Sequence, residues 1–247
     1  YTLSDMSFWN PAEIIGDRSN NLAYSIYRFL ILHRAWNTGL VPLGYKKIGR
    51  DLIVRIGNKS YIEVETAFTA LLPEILNKSI IKKLVSFYKN KLIINPELHD
   101  KIEFEIVHNC YTPITENQLL ELQPILSVEE LEHFKHILME LTQDIFNRYN
   151  EIKSNDLESI KKLEKRRNRS IQKSKNATIM EKINIVVNLL NDAKEFGTPQ
   201  FSRMARLAFI GNQYLNGLVL KNIISERDCE YFLTSIDTVA TEIINDF

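Results

Sequence analysis

Two arginines near the start of a predicted helix are the strongest candidates for chemistry in this chain. Arg203 and Arg206 are three residues apart, so on a helix they share a face. Two guanidinium groups on one face can hold a phosphate or a carboxylate through paired hydrogen bonds. The same pair could equally form structural salt bridges to Asp or Glu on neighbouring helices. The residues alone leave these two interpretations open.

A second candidate site lies near the N-terminus, where two helices are predicted to meet at a polar turn. Asn10 can cap a short helix that begins at Pro11, Glu13 can bond back to that cap, and Gly16 ends the helix. Arg18 lies in the turn that follows. Helix N-termini favour anions, so Asn10, Glu13 and Arg18 are predicted to suit an anionic group. A well-capped pair of helices with no ligand is the alternative.

Other patterns in the chain favour structural roles over chemistry. The sequence contains no Gly-rich phosphate loop and no HExxH, CxxC or GxSxG motif. Glu130, His133 and His136 could face a metal on one helix, but a carboxylate-bridged site needs a second such motif. His108 and Cys110 could pair as base and nucleophile, but no carboxylate is identifiable that would orient them. The basic run from 161 to 175 lacks the aromatic residues that nucleic-acid sites interleave, which favours a solvated helical arm.

Four blocks of the chain, in this order, carry a resemblance to a known family. The blocks are Trp9–Gly16 with Leu22, Ala23, Ser25 and Tyr27; Tyr61–Val64 with Phe68, Leu72 and Pro73; Asp100–Val107 with Cys110 and Tyr111; and Phe196–Pro199 with Phe201, Arg203, Ala205, Arg206, Ala208 and Phe209, continuing to Ser235–Ala240. These blocks resemble phosphoenolpyruvate synthase-like proteins, which are large phosphotransfer proteins related to rifampin phosphotransferase. The resemblance covers most of the chain except the segment from 151 to 176.

The resemblance implies a specific function. Proteins of this kind combine an ATP-binding module, a substrate-facing middle region and a swivelling phosphohistidine module, and this chain resembles the middle region. It implies that the chain holds a small anionic or phosphorylatable substrate through Asn10, Glu13, Arg18, Arg203 and Arg206. ATP and Mg²⁺ are then expected for the full-length protein, with no cofactor in this chain, and the flanking modules of the same polypeptide are its partners.

The resemblance also implies that this chain has no catalytic residue of its own. None of its five histidines lies in the Gly-rich, small-residue context of a phosphocarrier histidine, so the isolated chain is expected to be inactive. A helical protein-interaction scaffold, binding another protein through its long helices and basic arm, is the alternative function.

Composition limits the remaining function classes. Of 247 residues, 45% are hydrophobic and 25% are charged, with 31 basic and 31 acidic side chains. Zero net charge argues against a dedicated nucleic-acid or membrane-surface protein, because both need a cationic excess. Two cysteines and the lack of a signal peptide predict a reducing, cytoplasmic location. A chain that opens on Tyr1 is expected to be a piece of a longer polypeptide.

The elements that position these residues are predicted to be mainly helical. We predict a mainly α (α+β) fold: a helical bundle with a small antiparallel sheet in the N-terminal half. The predicted lobes are 1–124, with helices and the sheet, and 125–247, with long antiparallel helices, although the two could form one continuous domain. The sheet is predicted from a hairpin over 52–64 and, because apolar residues alternate there, a third strand over 101–107. The predicted helices are 21–38, 79–93, 127–152, 156–173, 178–195, 198–221 and a last one from 225.

Overall fold

The computed structural model describes residues 2–4, 11–32 and 35–236. The described residues form a mainly helical fold, as predicted, with one small sheet. None of the helices among them combines the length and the apolar character that crossing a membrane requires. The helices are α1 Pro11–Ile15, α2 Asn21–Tyr27, α3 Ala35–Leu40, α4 Val64–Ala70, α5 Lys78–Ile94, α6 Thr115–Leu119, α7 Val128–Ser174, α8 Ile179–Phe196, α9 Thr198–Leu220 and α10 Glu226–Thr234.

The sheet is antiparallel, with strand order β1-β3-β2. The strands are β1 Leu3–Ser4, β2 Ile53–Ile56 and β3 Lys59–Glu63. Gly57 and Asn58 both have positive φ, 56° and 69°, which is the backbone that a tight two-residue hairpin turn requires. The predicted hairpin is therefore confirmed. The third strand of the sheet is β1, in which Leu3 pairs with Glu63 of β3.

The predicted strand over 101–107 is wrong, because Ile102–Ile106 forms a π-helical turn. Ile102 and Ile106 are both buried. Residues four apart share a face in a helix as well as in a strand, so these two positions satisfy either structure. This π turn lies between α5 and α6 in the chain.

Two of the predicted helix boundaries also need correction. The helix predicted over 21–38 is capped by Asn20, whose Oδ1 accepts from Ala23 N at 2.8 Å, and it becomes a π-helical turn at Arg28–Leu32. The helices predicted to end near 152 and to begin at 156 are one helix, α7. The helix predicted over 198–221 is α9; Thr198 is its first residue, and the Thr198 hydroxyl donates to Ala193 O.

The core is built on α4, α5 and the first half of α7. Its fully buried side chains include Phe68, Leu84, Tyr88 and Phe134. The helix predicted from 127 begins with a capping box of Ser127 and Glu130, and the apolar stripe of α7 is buried from Phe134 to Ile145. This core contains residues on both sides of the predicted lobe division at 124, which stays a prediction.

Candidate functional site

A cavity of about 410 Å³ lies where α1, α3, α9 and the π-helical turn Ile102–Ile106 meet. Its walls are mostly apolar. Helices α3 and α9 can approach closely here because Gly39 has no side chain: a Cβ at that position would lie 2.9 Å from the Cβ of Ser202. The lining residues are Glu13, Ile14, Trp36, Leu40, Glu103, Phe201, Ser202, Ala205, Arg206 and Phe209.

Arg206 is the buried cation of this cavity, with only 2% of its surface exposed. Its Nε donates to Tyr45 Oη at 3.1 Å, and its Nη2 donates to Asn109 Oδ1. Its Nη1 lies 3.5 Å from Glu103 Oε1 and forms no hydrogen bond with any described residue. A buried guanidinium is costly unless it is paired, so these partners explain how the fold tolerates the charge.

The partners of Arg206 are themselves fixed by the loop that follows the π turn. The Asn109 amide donates to Glu103 O at 2.7 Å and to Val107 O at 3.0 Å, while Tyr45 Oη donates to Asn109 O at 3.0 Å. Burial raises the pKa of Glu103, although Arg206 opposes that shift. Burial likewise raises the pKa of Tyr45 to about 12, so the phenol stays protonated at neutral pH. The guanidinium is therefore held in one orientation by a rigid set of neighbours.

The structure places two of the five predicted site residues at this cavity. Glu13 is exposed on α1, and Arg206 is buried on α9. Arg18 is exposed in the turn after α1 and is not among the lining residues. Asn10 lies outside the described residues.

Arg203 is engaged elsewhere, in a buried ion pair. Its Nη2 lies 2.6 Å from Oδ1 of Asp156 on α7, and its Nη1 donates to Thr38 O at 2.8 Å. Asp156 is only 2% exposed. Arg203 therefore joins α3, α7 and α9, and it contacts different partners from Arg206. Each arginine lies beside a carboxylate, Asp156 for Arg203 and Glu103 for Arg206, and the assignment of either arginine to a substrate site stays a prediction.

The His108 and Cys110 side chains contact different partners. Tyr88 Oη lies 3.1 Å from His108 Nδ1, and Cys110 Sγ lies 3.5 Å from the Gln213 amide oxygen. Burial raises the pKa of Cys110 to about 11, so its thiol is protonated and a poor nucleophile at neutral pH.

The imidazole of His108 is held neutral. Burial lowers the pKa of His108 to about 3, and nearby Lys91 adds to this shift. Glu121 Oε1 lies 3.4 Å from His108 Nε2, but Lys91 Nζ contacts the same carboxylate at 2.7 Å and compensates its charge. We therefore take His108 to accept a hydrogen bond from Tyr88 in the core.

Sequence reasoning missed the residues that hold Arg206. Tyr45 and Asn109 are separated from Arg206 by 161 and 97 positions, and no local pattern marks them. Glu103 could have been noticed, because it lies in one of the blocks that carry the resemblance. The strand predicted over 101–107 placed Glu103 on the outer face, opposite the face on which Ile102 and Phe104 would point to the core. Phe201 and Phe209 also belong to a resembling block, and both line the cavity.

Comparisons of this chain with protein-family models, with curated proteins and with solved structures found no match.

Proposed function

We propose that this chain is the acceptor-binding region of a phosphotransfer protein similar to phosphoenolpyruvate synthase, and that the acceptor occupies the cavity between α1, α3 and α9. The observation that carries the proposal is the meeting of Glu13 and Arg206 at one cavity. They are far apart in sequence, and both were singled out from the sequence as binding residues. Phe201 and Phe209, from the same resembling block as Arg206, line the same space.

The charges at this cavity favour a neutral acceptor over a strongly anionic one. Arg206 is the single cation among the described residues that line the cavity, and these residues also include two carboxylates, Glu13 and Glu103. Glu103 already lies 3.5 Å from Arg206 Nη1 and offsets much of its charge. A ligand with several negative charges would be repelled by the carboxylates, whereas a hydroxyl could donate to the Glu103 carboxylate, which lies beside Arg206.

The apolar walls of the cavity place a second requirement on the chemistry of the acceptor. Trp36, Leu40, Phe201 and Phe209 present apolar surface, and ligands bind such pockets through an apolar body with a few oriented polar groups. Pyruvate and phosphosugars have little apolar surface to bury. We therefore propose a phosphorylatable alcohol or phenol with an aromatic or aliphatic body as the acceptor.

In this proposal the chain positions the acceptor hydroxyl, and other modules supply the phosphoryl group. Phosphoryl transfer depends mainly on positioning and on electrostatic stabilisation. The sequence has no Gly-rich phosphate loop, so ATP and Mg²⁺ belong to a module outside this chain. Glu103, beside Arg206, would orient the acceptor hydroxyl, and the apolar walls would exclude water from it.

A thermal-shift panel with two matched variants tests the cavity. Naphthols and hydroxybiphenyls should stabilise the wild type, while phosphoenolpyruvate, pyruvate and phosphosugars should not. Ala205→Phe fills the cavity and should abolish the shift. Ala208→Phe adds the same group at an exposed position of α9 and should leave it unchanged. Stabilisation by the anions alone, or equal shifts in both variants, would refute the proposal.

The size of the native polypeptide tests the phosphotransfer context. An antibody against this chain should detect a band several times larger than the 28.8 kDa of the sequence. A band near that mass would leave no room for the ATP-binding and phosphohistidine modules, and the phosphotransfer part of the proposal would fail.

A further inference from the structure

A helical hairpin leaves the body of the molecule beyond Asp156. We call residues 157–192 the arm. It consists of the second part of α7 and most of α8, and none of its residues is buried. Arg166 Nη1 pairs with Asp192 Oδ1 at 2.8 Å, and Lys162 and Arg166 lie over the Phe196 ring just beyond the arm. These contacts hold the two helices antiparallel.

The arm carries a concentrated positive charge. It contains nine Lys or Arg and four Asp or Glu, whereas the whole chain has 31 of each. An acidic excess of the same size therefore lies on the rest of the chain. Seven basic residues of the arm are exposed and form no ion pair with any described residue: Lys161, Lys165, Arg167, Arg169, Lys173, Lys175 and Lys182. Ion pairs within the described chain do not compensate this charge.

The arm also exposes an apolar stripe along α8. Five side chains that are 49% to 81% exposed recur at helical spacing: Ile179, Met180, Ile183, Val186 and Val187. Positions 179, 183, 186 and 187 follow the i, i+4, i+7, i+8 pattern of one helix face. Soluble proteins seldom leave such a continuous apolar surface open, and where they do it commonly marks an interaction site.

We propose that the arm binds an acidic amphipathic helix of another protein, which completes a three-helix bundle against α8. The apolar face of that helix covers the stripe, and its acidic residues meet the basic side chains of α7. Helix binding through anchors at i, i+3, i+4 and i+7 is a common mode of recognition, and charge complementarity supplies its specificity. This proposal does not depend on the cavity or its acceptor.

The same observations disfavour two other occupants. Pairing of two arms in a dimer would bring like charges together, which opposes association. Helices that lie on membranes place Trp or Phe at the interface, whereas the stripe contains only aliphatic side chains and Met. A partner helix of opposite charge meets neither objection.

The proposal can be tested with two fluorescent peptides of identical composition. One has Leu at heptad positions a and d and Glu at most others, and the second has the same residues scrambled so that no stripe forms. Fluorescence anisotropy of each peptide is measured with the full chain at physiological ionic strength. The striped peptide should bind at least about tenfold more tightly than the scrambled one.

Variants locate the binding surface. Ile183→Ser with Val186→Ser should weaken the striped peptide about tenfold or more, because hot-spot truncations cost this much. Arg167→Glu with Arg169→Glu should weaken both peptides. Ile223→Ser removes an equally exposed side chain outside the arm and should change nothing. All these side chains are exposed, so circular dichroism should show unchanged helix content in each variant.

Several results would overturn the proposal. Equal binding of both peptides would show that the arm attracts acidic peptides by charge alone and does not recognise a helix face. If the Ile183→Ser, Val186→Ser variant bound with wild-type affinity, the peptide would contact a surface other than the stripe. Tighter binding to vesicles of phosphatidylcholine and phosphatidylserine would indicate a membrane surface. A dimer in light scattering that Ile183→Ser dissociates would indicate that a second copy covers the stripe.

Discussion

Removal of Arg203 should destabilise the protein severely. The side chain of Arg203 is 14% exposed and that of Asp156 only 3%. Arg203→Ala would leave the Asp156 carboxylate buried without its counter-charge and would remove the hydrogen bond to Thr38 O. Breaking a buried pair in this way costs about 3–5 kcal/mol, whereas replacing both partners with apolar residues can be nearly neutral.

Urea unfolding of three variants measures this effect. Arg203→Ala should lower the free energy of unfolding by about 3–5 kcal/mol, or roughly 10 °C in melting temperature for a chain of this size. Asp156→Leu should cost less, because Arg203 keeps its contact with Thr38 and reaches solvent. The double variant Arg203→Met with Asp156→Leu should recover much of the loss.

Arg148 provides a matched control at the surface. It pairs with Asp144 and donates to Pro42 O at 3.2 Å, so it makes the same kinds of contact as Arg203. Its pair is largely exposed, and such pairs contribute at most about 1 kcal/mol. Arg148→Ala should therefore cost far less than Arg203→Ala. If Arg203→Ala were as stable as the wild type but lost ligand stabilisation, the structural interpretation would be wrong and Arg203 would be a binding residue.

The remaining predictions concern His108 and two glycines. Burial lowers the pKa of His108 from 6.5 to about 3, so between these pH values the unfolded chain binds a proton that the folded chain excludes. The contribution of His108 to stability is therefore complete above pH 6.5 and is lost as the pH falls toward 3. His108→Gln should flatten the stability profile by up to about 1.4 kcal/mol per pH unit in that window, and parallel profiles in urea unfolding would contradict this. Gly39→Ala should destabilise the protein by about 1–3 kcal/mol, because its Cβ would lie 2.9 Å from Ser202 Cβ. Gly211→Ala, where a Cβ meets nothing within 4 Å, should instead stabilise α9 by about 0.5–1 kcal/mol, and similar effects of the two changes on melting temperature would refute the close approach.

The parts of the fold that the sequence predicted well depend on interactions within three or four residues. Ser127 with Glu130 begins α7, and Thr178 begins α8 through a capping box with Glu181. The Gly57 turn of the hairpin is equally local. Such signals need no knowledge of the rest of the chain, because the interacting groups are adjacent in sequence.

The missed elements depend on partners that are distant in sequence. No glycine or proline interrupts α7 between Ile152 and Asp156, and the pairing of Asp156 with Arg203 stabilises the helix at the point where we predicted a break. The π turn at Ile102–Ile106 replaced a predicted strand because the alternation of seven residues fits two periods. Only the packing around them selects one.

The same distinction explains the candidate site. Arg206 was recognisable because arginines at helical spacing are a visible pattern, but what they do was not. The answer depends on Asp156 for Arg203, and on Tyr45 and Asn109 for Arg206. These partners use Nε and Nη2 of Arg206, and the buried Nη1 lies beside Glu103 without a hydrogen bond to any described residue. The contacts of each arginine therefore depend on residues that are distant in sequence, and residue types alone do not contain that information.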